Sequence, residues 1–344
     1  MHYCQLKAQR PVPGAPRGRG SELKLTLMEA MRGRLEAVPP DFLVIGTVTK
    51  DLQPLVPGRR TGPYGTVPED QGYGTVPKDQ GEDGYTVGGT VTFASLTARN
   101  LGQRTAVVTR ASPDLDFAPL YQGIEVLRLP SPVTTTFQNL YSADGTRTQF
   151  LRAVAGKIKT EDIPPAWRET KIVLLGPLAG ELEGSIVEIF PRSLIGVTPQ
   201  GWMRCWDEDG RVFPKPWDGA AEVLNYAKVV VFSEKDVQGD ESIIQAYARM
   251  AEILVVTHGP GGATVYHRGE ARRLPAFETV EIDPTGAGDV FAAAYLIELE
   301  RSGDPYAAAH FANCVASFVV EKPGAEGIPT LEQVERRLAL GIRN

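Results

Sequence analysis

The sequence predicts an α/β fold: a mostly parallel central sheet covered by helices on both faces, with a small β lid to one side. Three observations carry that expectation. Short apolar runs of strand length recur along the chain, and most lack the polar alternation of a half-exposed strand. Helical stretches lie between them, as crossover connections require. One further β-rich stretch, 133–152, carries polar residues on both of its faces, which suits a lid better than a core.

The elements follow in chain order. Residues 1–40 form a basic tail. Arg10 to Gly20 is rich in Pro, Gly and Arg and is expected to be poorly ordered, while Glu22 to Val38 carries the rough apolar stripe of a helix. The folded domain is expected to span 41–344. Strands are predicted at Phe42–Gly46, Thr105–Thr109, Ile172–Gly176, Leu194–Thr198, Val229–Phe232 and Ile253–Thr257. Helices are predicted at Val91–Leu101, Leu182–Phe190, Glu241–Ala251, Val290–Leu299, Pro305–Val320 and Leu331–Leu340. Tyr64–Gly72 is repeated at once as Tyr73–Gly81, with changes only at Glu69 and Lys78. Two copies of so short a unit make no solenoid, so this reads as a duplicated loop, with a substrate-covering flap as the alternative. Val133–Arg152 reads as an antiparallel hairpin around an Asp144-Gly145 turn. Lid elements are thus expected within 47–90 and 133–152.

Composition limits the partners. The 344-residue chain has a formal net charge of −6, which gives no support for a nucleic-acid or anionic-membrane surface. Cys4, Cys205 and Cys314 fit neither a disulfide framework nor a zinc spacing, which points to a reducing compartment. No apolar run reaches the roughly 20 residues that span a bilayer, and no signal-peptide core is visible. A cytoplasmic location is expected.

The segment Asp283-Pro-Thr-Gly-Ala-Gly-Asp289 carries the chemistry. Gly286, Ala287 and Gly288 place exposed amides at the start of an apolar helix, an arrangement that binds anions. Asp289 beside them can take the proton of a hydroxyl attacking such an anion, as phosphoryl transfer to an alcohol requires. A lone Asp at a helix start is otherwise an N-cap. The run of small residues before it goes beyond what a cap needs, because it lets a ligand approach the backbone.

Asp283–Leu296 also resembles the C-terminal signature of the PfkB family of carbohydrate kinases, and other segments are similar in order over about residues 40–340. Gly88-Gly89-Thr90-Val91-Thr92-Phe93 resembles the family's di-glycine segment beside the sugar. Asp51 matches the place where a carboxylate meets substrate hydroxyls. Thr257 to Tyr266, with Gly259 and Gly262, resembles the ATP-seating strand and hairpin. Asn313 and Gly324 fall where the adenine pocket is lined. The resemblance implies a ribokinase-like three-layer sandwich and an ATP-dependent small-molecule kinase acting on a polyol such as a sugar, inositol or nucleoside. It also implies Mg²⁺, with a monovalent cation as a further candidate. Oligomeric state is left open by the sequence, with edge-to-edge pairing of an exposed lid hairpin as one route to a homodimer.

The chain departs from the pattern in two places. No Asn follows the di-glycine within a few residues, so the acceptor is not expected to be ribose or a common hexose. The family's Asn-x-x-Glu appears as Ser233-Glu234-Lys235-Asp236, which leaves Asp236 and Glu234 as candidate metal carboxylates and Ser233 beside the nucleotide. Asn139, Arg152, Gln200 and Arg204 are candidate polyol ligands, and Trp202 and Trp206 read as packing residues. No P-loop, complete dinucleotide fingerprint or nucleophile elbow is present. The competing readings are a catalytically weak ligand sensor that keeps the fold and, behind it, a dehydrogenase.

Overall fold

A computed structural model describes residues 38–52, 84–141 and 147–341. The tail up to residue 37, the duplicated stretch 64–81 and the Asp144-Gly145 turn lie outside the described residues.

The first strands are β1 (Phe42–Gly46), β2 (Thr49–Leu52), β3 (Tyr85–Gly88), β4 (Thr105–Ala111) and β5 (Ile124–Pro130). Then come β6 (Thr135–Tyr141), β7 (Arg147–Ala153), β8 (Ile172–Gly176) and β9 (Leu194–Val197). A short pair, β10 (Arg204–Trp206) and β11 (Val212–Pro214), precedes β12 (Val229–Ser233), β13 (Ile253–Thr257), β14 (Ala263–His267) and β15 (Glu270–Leu274). Nine of them form one sheet in the order β15-β14-β13-β12-β9-β8-β1-β4-β5. It is parallel from β13 to β5, with β14 and β15 added antiparallel at one edge.

Period-two alternation divides each central strand between two cores. Phe42, Val44, Val229 and Val231 face one cluster, while Leu43, Ile45, Val230 and Phe232 face the other. The first cluster is closed by helices α1 (Thr90–Asn100), α4 (Ala287–Ser302) and α5 (Pro305–Val319). Helix α4 is buried on every side from Val290 to Leu299, because the sheet lies under it and α5 beside it. Small residues, Ala292 to Ala294 against Ala308, Ala309 and Ala312, let those two helices approach closely. Two short helices, α2 (Ala220–Leu224) and α3 (Glu241–Met250), cover the opposite face, and α6 (Leu331–Gly341) packs against α5. On the α3 face Trp202 stacks on Trp217 with centroids 5.5 Å apart, and Tyr247 packs tilted against Trp217 at 5.8 Å. They anchor the segment that carries β10 to the sheet.

The six predicted strands all form, and five of the six predicted helices do. The exception is Leu182–Phe190, which holds only a 3₁₀ helix at Gly184–Ile189. Its apolar residues, Ile186, Val187 and Phe190, are buried as expected, but a stretch this short packs without completing an α-helix.

The lid is a separate four-stranded sheet, β3-β2-β6-β7. The hairpin of β6 and β7 is less polar on one face than expected. Phe137 and Leu151 are cross-strand partners, and both are buried against Leu178 and Ala179. Asp51 is the register partner of Phe137, so Asp51, Phe137, Leu151 and Asn139 share the face turned toward the main sheet. Gln138, Phe150 and Arg152 share the other. Among the described residues, no helix is long and apolar enough to cross a membrane.

Candidate active site

Parallel strands bring their carboxyl ends to one edge, and the signature residues collect there. Gly46 ends β1, Gly176 ends β8 and Ser233 ends β12. Helices α1 and α4 begin above that edge. Their N-termini converge: a Cβ on Gly286 would lie 2.2–2.4 Å from the Phe93 ring of α1.

Gly286 is the N-cap of α4 and has φ 77°, a left-handed conformation that a side chain resists. Asp289 falls in the first turn and makes no capping bond, so the N-cap alternative does not hold. The three amides of the turn are not equivalent. Ala287 N–H donates to the Pro284 carbonyl at 3.2 Å, whereas Gly286 and Gly288 N–H carry no backbone hydrogen bond among the described residues. Of the three amides expected to form an anion hole, those of Gly286 and Gly288 are therefore the ones without a backbone acceptor. A Cβ on Gly288 would meet nothing within 4 Å, so that side of the turn opens onto space.

The turn is tied down from behind. Asp283 accepts from Thr285 N–H at 3.0 Å and from Gly324 N–H at 2.8 Å. Burial alone would raise the Asp283 carboxyl, but the Gly324 amide, the Thr285 hydroxyl and the Thr285 amide together outweigh it and hold its pKa below the usual carboxylate range. The residue thus couples the anion turn to Gly324, the predicted nucleotide-side glycine.

Asp289 is half-buried, and burial pushes its carboxyl up to about 6. The Thr90 hydroxyl and the Arg204 charge pull it back down, while the negative charges of Asp236 and Asp51 push it further up. The same interactions locate those residues around it, with Asp51 coming from the lid, Arg204 from β10 and Asp236 from the turn after β12. The Asp51 carboxylate lies over Gly88, where a Cβ would come within 2.0 Å of Oδ2, and it accepts from Thr49 Oγ1 at 3.1 Å. Gly89 starts α1 at φ 89°, with its Cβ position 2.4 Å from the Thr47 carbonyl. The di-glycine is thus the point where lid, β1 and α1 meet.

Ser233 and Asp236 form a capping box: Asp236 Oδ2 accepts Ser233 N–H at 2.9 Å, and Ser233 Oγ accepts Lys235 N–H at 3.3 Å. Asp236 Oδ1 accepts from Gln200 Nε2 at 2.9 Å. Glu234 takes a different role, because its Oε2 lies 2.6 Å from His258 Nδ1. No group of three or more His, Cys, Asp or Glu able to hold a metal exists among the described residues. Asp236 thus has both carboxylate oxygens hydrogen-bonded and Glu234 has one, so a Mg²⁺ that keeps its waters and phosphate ligands would meet either carboxylate only through a remaining lone pair or a bridging water.

The remaining expected residues divide. Gly259 opens the turn after β13, and Gly262 closes it under the Leu274 carbonyl. Thr257 ends β13, with Oγ1 3.4 Å from the Phe232 carbonyl. Asn313 is buried and donates to the carbonyls of Leu274 and Pro275 at 3.2 and 3.0 Å, so its amide holds the chain leaving β15. Asn139 lies on the cleft-side lid face and accepts from Gln149 at 3.0 Å. Arg152 is not brought to the cleft. It lies on the opposite lid face and donates to Gln138 Oε1 at 2.9 and 2.8 Å and to the Asp209 carbonyl at 3.1 Å. Adjacent strand residues point to opposite faces, and Leu151 takes the inner one.

Three residues escaped the sequence reading. Thr49 and Thr90 are common hydroxyls whose only signal is their closeness to Asp51 and Gly89. His258 looked isolated, but β12 and β13 end side by side and bring it to Glu234.

Residues 214–331 match the model of the pfkB family carbohydrate kinases. The chain is 32% identical over 144 residues to the 5-dehydro-2-deoxygluconokinase of Bacillus licheniformis, a match covering 37% of this chain and 44% of that one. It is 24% identical over 255 residues to the inositol 3-kinase of Arabidopsis thaliana, covering 70% and 69%. The first match thus spans under half of its relative's length. Among solved structures, a pyrophosphate-dependent kinase in the ribokinase family, complexed with a pyrophosphate analogue and myo-inositol, superposes with a TM-score of 0.68 at 23% identity. That alignment covers 86% of this chain and 99% of that one. The fold is ribokinase-like, and the stretch that matches the pfkB family model includes the Gly286–Asp289 turn.

Proposed function

We propose that this chain is a small-molecule kinase that transfers the γ-phosphoryl group of ATP to a hydroxyl of a polyol. One observation carries the reading: Asp289, with its pKa raised to about 6, stands beside the unbonded Gly286 and Gly288 amides where two helix N-termini meet. In this reading the acceptor oxygen attacks the γ-phosphorus, the bond to the β-phosphate oxygen breaks, and ADP leaves. The acceptor's proton passes to Asp289. The Gly286 and Gly288 amides stabilise the charge on the transferred group. Mg²⁺ carried by the phosphates would neutralise part of that charge, with Asp236 holding it directly or through water.

Asp51, on the inner lid face, would hold acceptor hydroxyls and Asn139 would extend that face. Gly259, Gly262 and Gly324 would border the nucleotide, with Ser233 and Thr257 at the strand ends between. Lid closure would exclude water as a competing acceptor. The pfkB-type segment and the named activities of the relatives support a sugar or an inositol as acceptor, with a nucleoside as the further class that the resemblance implies.

The base must be ionised to accept a proton. Turnover is therefore expected to rise with pH through about 6 and to level off above it. A kcat/KM profile against pH, with ATP and Mg²⁺, checks this, and a flat profile from pH 5 to 8 would count against Asp289 as the base. Gly288→Ala gives a second expected outcome. The new methyl enters open space within a helix, where Ala is favoured over Gly by about 0.5–1 kcal/mol. The melting temperature should hold or rise while the KM for the phosphate donor increases, because the methyl occupies the donor's approach to the turn.

Calorimetry with ATP and Mg²⁺, followed by assays over sugars, inositols and nucleosides, tests the function itself. A parallel arm with pyrophosphate tests the donor suggested by the structural neighbour. Tight ATP binding without turnover on every acceptor would favour the sensor reading.

A further inference from the structure

Helix α1 is rich in buried hydroxyls, and all but one are bonded locally. Thr92 Oγ1 donates to the Gly88 carbonyl at 2.6 Å and lies 2.7 Å from the Tyr121 hydroxyl. Ser95 Oγ bonds the Thr92 carbonyl at 3.4 Å and Thr97 Oγ1 the Phe93 carbonyl at 2.7 Å. Thr90, the first residue of the helix, is 1% exposed, and its Oγ1 has no hydrogen-bond partner of normal geometry among the described residues. A buried hydroxyl left in that state is costly, so its retention calls for an explanation.

Its surroundings supply one. A Cβ on Gly176 would come within 2.2 Å of Thr90 Cγ2 and 3.0 Å of Oγ1, so the side chain lies flat against the end of β8. A β-branched side chain pinned there has little rotamer freedom. Its hydroxyl acts on the Asp289 carboxylate and favours the charged form. The other groups that act on that carboxylate are charged: Arg204 from β10, Asp236 after β12 and Asp51 from the lid. Thr90 alone among them is a neutral donor fixed by the main sheet. Catalytic hydrogen bonds that are loose without substrate commonly tighten when substrate is bound.

We propose that Thr90 is a positioning residue for Asp289: its hydroxyl donates to one oxygen of the ionised carboxylate and turns the other toward the acceptor hydroxyl. The proposal rests on Asp289 being the base. It adds a second, rigid support for that base from α1, outside the signature turn.

The test is a ¹³C NMR titration of the Asp289 carboxyl in the full chain, with Asp289→Asn used to assign the signal. Thr90→Val removes the hydroxyl at nearly constant shape and is expected to raise the Asp289 midpoint by about one pH unit. Thr90→Ala, with less bulk, should shift it in the same direction, and Thr90→Ser should stay within about 0.3 of wild type. An unchanged midpoint in Thr90→Val or Thr90→Ala, or a Thr90→Ser shift as large as either, would overturn the proposal. These titrations need no turnover. Turnover by Asp289→Asn separately decides whether Asp289 is the base, so the two failures are distinguishable.

Discussion

Asp289→Asn is expected to lower kcat by about 10²–10⁴-fold, the usual contribution of a positioned general base, while leaving donor binding within a few-fold of wild type. The amide keeps the shape of the carboxylate and loses only its ability to accept the proton. The fold should not suffer. A carboxyl whose folded-state pKa is raised from 3.8 to about 6 is penalised by folding once it ionises. Stability linked to that group is full below its unfolded value and falls as pH rises through the folded one. A neutral Asn avoids the penalty, so the variant should melt at or above the wild-type temperature at pH 7. Steady-state kinetics beside a thermal melt separates this from general damage. An inactive but undiminished fold is the expected pair of results, and kcat within a few-fold of wild type would remove Asp289 from its role.

Gly286→Ala is the second large effect, and it arises from geometry. The residue has φ 77°, a conformation costing a side chain about 1–3 kcal/mol. The added Cβ would also strike the Phe93 ring at 2.2–2.4 Å. Neither the ring, which is buried in the core beside α4, nor the turn can yield without moving the start of the helix. That start carries both the amides and Asp289. The variant should lose stability on the scale of those costs, and kcat should fall by about 10²–10³-fold, as when one oxyanion donor is misplaced. Chemical denaturation and kinetics on the same preparation measure both. The contrast with Gly288→Ala, two residues along and facing open space, shows whether position or mere glycine content matters in this turn.

Much of this was legible in the sequence for identifiable reasons. Buried parallel strands are continuous apolar runs, so β1, β8, β12 and β13 could be read directly. The Gly-Ala-Gly-Asp turn stood out because a helix start needs no such run of small residues. Strands β5 and β15 were missed because they lie at the sheet edges. Glu125, Arg272 and Arg273 interrupt their apolar pattern as solvent-facing edge residues do, and Arg128 interrupts it by packing over Phe117. Arg152 was misplaced because strand facing depends on register. The shift between Thr136 and Phe137 sets that register and leaves no mark in composition. Glu234 and His258 are 24 residues apart and meet only because their strands are neighbours. Thr90 was passed over because a threonine entering a helix is ordinary until its burial and missing partner are seen.

The most direct test of the central claim is a ³¹P NMR time course. Wild type and Asp289→Asn are incubated with ATP and Mg²⁺ in the presence of sugars, inositols and nucleosides in turn. Phosphoryl transfer with Asp289 as base predicts a phosphomonoester signal growing in step with ADP for wild type on at least one acceptor. The same mixture with Asp289→Asn should stay essentially unchanged over that time. Equal phosphomonoester formation by both proteins, or calorimetrically tight ATP binding by wild type with no phosphomonoester on any acceptor, would contradict it.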